Sequence, residues 1–266
     1  MKNGEERSTI IKDITHNVMR NLHENYRLAQ EITECPRIGH ECTSDVIEHE
    51  GNMRVCPVFA RIRSVDEIHE CSYAKTILDN LKKHVIEVLV EAGVPRRHVD
   101  AFKQYKPCDS LNKALKYTFK DFILLCGPTG VGKSFAAACL CYKFAMHKNQ
   151  DYFTDKTKWG DIDQWIKNNI GWYLTYELAT MMAKEQKEVA SSHGLLVIDD
   201  LGIEDNTPRA VAAINYIISK RYDCGSDMGT IVTTNLSFED VQVRYGKRLM
   251  DRLTESGYVV LYKAGN

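Results

Sequence analysis

Apolar residues recur at helical spacing through the first third of the chain and gather into short unbroken runs in the rest. Ile10, Ile11, Ile14, Val18, Leu22 and Ile32 predict an amphipathic helix over 9–33, ending near Cys35-Pro36. "TILDNLKKHVIEVLVEA" predicts a second helix over 76–92, closed by Gly93 with Pro95 just beyond. Strands are predicted at Phe122–Cys126, Trp172–Thr175, Gly194–Ile198, Thr230–Thr233 and Tyr258–Tyr262. Helices are predicted at Lys133–His147, Glu177–Val189, Arg209–Cys224 and Lys247–Thr254. Alternation of this kind implies an α/β domain with a mostly parallel sheet covered on both faces, a three-layer sandwich. The expected division is 1–92, a small helical cysteine-rich unit, and 93–266, the α/β unit. The polar stretch 148–170, with Trp159 and Trp165, reads as an excursion between the first core helix and the second strand: a partner-specific loop or, by default, a solvated insertion.

Composition narrows the classes. The 266 residues are 44% hydrophobic and 27% charged, enough to bury one large core. A net charge of −1 excludes a global field drawing the chain onto nucleic acid, so any polyanion contact must be a local patch. Lys184–Lys187 and Lys220–Arg221 are candidates for such a patch, although solvated helix faces are the usual fate of such charges. No apolar run approaches the length of a membrane span. The start, "MKNGEERSTIIKDITHN", is too polar for a secretory signal, and nine cysteines are an odd number. The expectation is a cytoplasmic protein in a reducing compartment.

The candidate chemistry begins at "LLCGPTGVGKSF". Gly127, Pro128, Thr129, Gly130, Val131, Gly132, Lys133 and Ser134 form G-x-x-x-x-G-K-S between a predicted strand and a predicted helix, with Phe135 following. Glycines there let successive backbone N–H groups turn around phosphate oxygens, and the helix start adds the positive end of its dipole. Lys133 is expected to reach the β- and γ-phosphates of ATP, and Ser134 to ligate Mg²⁺. "GLLVIDDLG" then ends a buried run in two carboxylates, costly unless metal or water receives them. Asp199 is expected to hold the Mg²⁺ shell and Asp200 to orient the attacking water. "GTIVTTN" ends in Asn235, which spacing alone reads as a turn or capping residue.

These segments, "GPTGVGKS", "WYLTYELA", "LLVIDDLGIE", "IISKRYDCGSDMGTIVTTNLSFEDV" and "YGKRLMDRL", follow one another as in the AAA+ ATPases of the DnaC/DnaI/IstB group. The resemblance covers roughly residues 93–262, and "VPRRHVDAFKQYKP" resembles the group's segment before the P-loop. It implies a P-loop AAA+ fold without a C-terminal lid, since little chain follows Arg252. It implies that Asn235 is the sensor residue beside the γ-phosphate. It also implies that Arg252 is an arginine finger acting on ATP held by a neighbouring subunit, with Arg248 beside it. Spacing alone reads Arg248 and Arg252 as surface ion-pair partners on one helix face. A finger supplied in trans requires a homo-oligomer.

Ahead of this unit, Cys35, Cys42, Cys56 and Cys71 set four thiols within a short segment, without a C-x₂-C knuckle. A zinc ion, an iron–sulfur cluster and metal-free packing all fit such a quartet; some loaders resembling this chain carry an N-terminal zinc unit that contacts a helicase. His40, His49 and His69 are substitute ligands, and Cys126, Cys139 and Cys141 read as small buried hydrophobes. The expected function is an ATP-hydrolysing loader that grips a replicative DNA helicase through its N-terminal unit and holds single-stranded DNA through an AAA+ oligomer. The alternatives are a transposition helper on duplex DNA and a non-hydrolysing nucleotide-bound adaptor.

Overall fold

The computed structural model describes residues 46–49, 52–56, 71–104, 108–148, 159–225 and 228–261. They belong to two compact units, Met1–Leu81 and Lys82–Asn266. The division falls inside helix α1 (Ser72–Glu91), ahead of the Gly93 boundary read from sequence.

In the first unit, β1 (Val46–His49) pairs antiparallel with β2 (Asn52–Val55), with His49 opposite Asn52. A helical unit was expected here. In "VIEHEGNMRV" only "NMRV" alternates polar and apolar, and "VIEH" does not, so the hairpin signal is the two residues Glu50-Gly51 between short runs. Cys56 and Cys71 are buried. The helix predicted over 9–33, together with Cys35, Cys42, His40 and His69, lies outside the described residues.

The second unit is built on five parallel strands: β3 (Phe122–Cys126), β4 (Ile170–Leu174), β5 (Leu195–Leu201), β6 (Gly229–Thr234) and β7 (Tyr258–Val260). Their spatial order is β4-β5-β6-β3-β7. Numbered from β3, this is the 2-3-4-1-5 order of the AAA+ fold. β3 and β6 are buried at every position, as strands covered on both faces must be.

One face of the sheet, with Leu124, Leu196, Ile198 and Val232, packs against Leu178, Ile214, Ile217, Ile218, Val241, Tyr245, Leu249 and Leu253. Those residues come from α6 (Thr175–Thr180), α8 (Pro208–Asp223), α9 (Phe238–Tyr245) and α10 (Lys247–Glu255). Between α6 and α8 runs α7 (Ala183–Ser192). The predicted helix over 177–189 is thus two helices. Glu177 and Glu185 each accept a hydrogen bond from a backbone N–H three residues back, at Leu174 (2.9 Å) and Met182 (2.8 Å), so the chain restarts its helix twice. Likewise Ser237 and Asp240 cap α9, a helix the sequence reading left out.

α4 (Lys133–Lys148) packs on β3, β5 and β6, burying Ala136, Ala137, Leu140, Cys141 and Phe144. The supposed excursion contains α5 (Trp159–Asn169), with Ile162 and Ile166 fully buried. Its polar composition hid a two-residue stripe at i, i+4. Within the second unit His84 meets Asp163 at 2.6 Å and Lys167 meets Glu91 at 2.7 Å. Two short helices, α2 (Arg96–Asp100) and α3 (Asp109–Ala114), precede β3, with Ala101–Gln104 forming a 3₁₀ turn between them. Among the described residues no helix is long and apolar enough to cross a membrane.

Candidate nucleotide site

Strand register sets the site. Cys126 lies beside Thr234, Leu174 beside Asp199, and Leu201 beside Thr234. The glycine loop, the two acids and Asn235 therefore emerge at the same end of the sheet. That is the carboxyl end, where open α/β sheets take their ligands.

The loop 127–132 joins β3 to α4. Gly127, Gly130 and Gly132 have φ of 143°, 82° and 93°, values that side chains rarely adopt. At Gly127 space is decisive as well: a Cβ would stand 2.4 Å from the Leu261 carbonyl oxygen, where the chain after β7 bonds back to Cys126. Pro128, Thr129 and Gly130 are exposed, and Val131 and Gly132 half-buried. Phe135 sits edge-on to Phe102, 5.9 Å between ring centres, tying α4 to the 3₁₀ turn before the loop.

Lys133 is buried and donates from Nζ to the carbonyls of Gly127 and Pro128, both at 2.9 Å, and to Asn235 Oδ1. Burial lowers its pKa, while the charges of Asp200 and Asp199 oppose that shift. Ser134 Oγ donates to Asp199 Oδ1 at 2.8 Å, and Thr233 Oγ1 donates to the same oxygen at 2.7 Å. The other carboxylate oxygen, Asp199 Oδ2, is buried with no hydrogen-bond partner among the described residues. Asp200 stands at φ 56° within a register shift between Ile198 and Leu201, and its N–H is held by Thr233 Oγ1 at 2.8 Å. This kink turns the second acid away from the line of the strand. Burial and then the Asp199 charge raise the Asp200 pKa, partly offset by Lys133 and Arg97.

A buried acidic oxygen left open beside a serine hydroxyl is a hard-oxygen donor set suited to Mg²⁺. Among the predicted residues, the structure gathers Lys133, Ser134, Asp199, Asp200 and Asn235. Sequence reasoning assigned no role to Thr233, which orients both acids, or to Thr175, whose buried hydroxyl donates to the Asp199 carbonyl at 2.9 Å. Both are polar residues at the ends of buried strands, and that was the signal available. Arg97 and His98, from the segment before the loop, lie close enough for their charges to couple to Asp200 and Asp199 respectively.

The structure does not bring Arg248 and Arg252 to this site. Arg248 is exposed on the first turn of α10. Arg252 donates to Ser219 Oγ, and its guanidinium lies over the Tyr222 ring at 4.9 Å. Ser219 and Tyr222 stand on the last turns of α8, leading to the start of β6, so Arg252 occupies the opposite end of the sheet. A five-residue strand separates the two ends by roughly 16 Å. Arg221, grouped above with Lys220 as a surface charge, is buried. It donates to Thr230 Oγ1 (3.0 Å) and to the carbonyls of His193 (2.6 Å) and Gly229 (2.6 Å). Burial pushes its pKa down to about 10.

The family profile of the IstB-like ATP-binding proteins matches residues 106–264, from before β3 to past β7. The chain belongs to the IstB-like ATP-binding proteins. Membership makes the loop, the acids and Asn235 parts of an ATP-binding domain. The protein YdaV of Escherichia coli (strain K12) is 33% identical over 63 residues, 24% of this chain and 25% of that protein. This chain thus aligns with only a quarter of the length of that relative. Among solved structures, the DnaC helicase loader aligns with 63% of this chain and 100% of its own, at 22% identity and a TM-score of 0.45. DnaI aligns with 63% and 94%, at 17% identity and a TM-score of 0.46. AMPPCP-bound DnaA from Aquifex aeolicus aligns with 60% and 49%, at 14% identity and a TM-score of 0.40.

Proposed function

We propose that this IstB-like protein hydrolyses ATP between protomers and uses the cycle to load a replicative DNA helicase onto single-stranded DNA. The observation that carries the hydrolytic part is the open Asp199 Oδ2 beside Ser134 Oγ, at the end of the strand that also delivers Asp200. In this reading the backbone of 127–132 and Lys133 bind the triphosphate, with Lys133 leaving the loop carbonyls for phosphate oxygens. Ser134 and Asp199 would hold Mg²⁺, which neutralises phosphate charge when bound. Asp200 takes the proton side of the attacking water. Asn235, released from Lys133, orients that water against the terminal phosphate. Water adds to the γ-phosphorus as the bond to the β-phosphate oxygen breaks, giving ADP and phosphate. Arg252, remote from its own site, stabilises the departing charge on a neighbour's ATP.

The helicase half rests on the run of motifs shared with the DnaC/DnaI/IstB group and on the cysteine-rich front. The family match favours a second reading, a transposition helper on duplex DNA. Full-length tagged protein with ATP is expected to retain a hexameric helicase in pull-downs and to protect single strands in footprinting. Retention of a transposase with protection of duplex selects the second reading. Zinc in the quartet of Cys35, Cys42, Cys56 and Cys71 is part of the same proposal; elemental analysis of purified full chain is expected to show one zinc per chain, and iron in its place points to a cluster.

A further inference from the structure

Arg252 belongs to a cluster of four residues across two helices, two of which contact it directly. Ser219 and Tyr222, one turn apart on α8, face Arg252 and Glu255, one turn apart on α10. Ser219 Oγ accepts from Arg252 Nη1, and the Tyr222 ring lies beneath the guanidinium at 4.9 Å. Glu255, on the same helix, stands at the i, i+3 spacing that ordinarily draws an arginine into an ion pair. It makes none with Arg252 among the described residues. Instead Tyr222 Oη donates to Glu255 Oε2 at 2.7 Å. Beside the cradle a cavity of about 290 Å³ opens, with Asp121, Phe122, Tyr222 and Glu255 on its wall.

We propose that Tyr222 is the positioning residue of the arginine finger: its hydroxyl engages Glu255 while its ring and Ser219 hold the Arg252 guanidinium aimed outward. This rests on the reading of Arg252 as acting on a neighbour's ATP. An arginine locked in a carboxylate pair must break that pair before it can meet phosphate; one resting on an aromatic face and a hydroxyl keeps its remaining donors open. Neutral partners thus maintain a cation ready for an anion. Tyr222 is 40% exposed, yet both its ring and its hydroxyl are engaged.

The test uses full-length protein, ATP, Mg²⁺ and single-stranded DNA. Tyr222→Phe keeps the ring but frees Glu255 to capture Arg252. It is expected to lower kcat by about 10- to 100-fold, the upper figure being the scale of a catalytic group misplaced by an ångström. KM for ATP and the melting temperature should stay close to the parent values. Adding Glu255→Gln to Tyr222→Phe removes the competing charge and is expected to restore most of kcat. A merely structural hydroxyl predicts no such rescue. If Arg252→Ala abolishes turnover while Tyr222→Phe turns over at the parent rate, the cradle proposal is overturned and the finger stands. If Tyr222→Phe loses turnover and Glu255→Gln fails to restore it, the assigned competition is wrong. If Arg252→Ala itself turns over normally, the reading beneath the proposal fails first.

Discussion

Thr233 shows how much of the site hangs on groups that never touch substrate. Its hydroxyl hydrogen goes to Asp199 Oδ1 while its oxygen accepts the Asp200 N–H. Thr233→Val keeps the shape and removes both bonds, leaving a partly buried N–H without its partner, a loss of about 1 kcal/mol. The expected outcome is a lower melting temperature and a fall in kcat larger than any change in ATP affinity, checked by calorimetry and steady-state kinetics. Asp200 makes a complementary case. Its pKa is raised in the folded protein, chiefly by burial, so between its unfolded and folded values the native state binds more protons than the unfolded one. In that window stability falls as pH rises, and above it the cost of holding the charge is fully present. Asp200→Asn removes that charge at a position, φ 56°, that asparagine tolerates well. Thermal melts of the ATP-free protein at neutral pH should show equal or higher stability, with hydrolysis lost. A marked drop in melting temperature would mean that the Asp200 charge stabilises the fold.

At the scale of elements, the turn after β5 is bolted to α9. Glu204 is buried and accepts from Arg244 Nη2 at 2.8 Å, from Tyr245 Oη and from the Gly202 N–H at 3.1 Å, while Arg244 Nη1 reaches the Gly202 carbonyl at 2.9 Å. α9 begins just after Asn235, so this knot joins the acidic strand end to the segment bearing the amide. Arg244→Leu strands a buried carboxylate and is expected to cost about 3–5 kcal/mol, read from denaturant midpoints. Arg244→Leu with Glu204→Gln should recover part of that loss. None of this was legible in the sequence, because "GIED" and "QVRY" carry no spacing that links them. By contrast, β3, the glycine loop and the α4 start were legible, since apolar runs, glycines and a lysine each have one local meaning there. The acids were legible as chemistry but not as geometry: the kink that separates Asp199 from Asp200 depends on Thr233, a residue on another strand. α5 was hidden because Ile162 and Ile166, with Trp165 against Phe144, seat a helix that is otherwise mostly polar, and β1–β2 because "VIEH" lacks the alternation of a half-buried strand.

For the whole molecule, the separation of Arg252 from Lys133 by the length of the sheet predicts complementation. Lys133→Ala and Arg252→Ala proteins should each be inactive alone. Mixed, a Lys133→Ala protomer can lend its arginine to an intact ATP pocket on an Arg252→Ala protomer, so turnover should reappear and depend on total concentration. Mixtures that stay inactive although co-sedimentation shows both variants together argue against trans action. Membership of the IstB-like family and the five-strand order set the ATP-binding framework.

The sheet's polarity carries a geometric corollary. Donor and acceptor lie at opposite poles of the same parallel strands, so on the trans reading a union takes one of two forms: an antiparallel pair about a two-fold axis, each arginine meeting the other's pocket, or a head-to-tail array. A closed ring would satisfy every member, whereas an open spiral of n protomers has only n − 1 completed sites and one idle pocket at its terminus. Per-subunit turnover in a spiral therefore climbs with assembly length toward a plateau, and the unassisted terminal pocket is where ATP should persist longest.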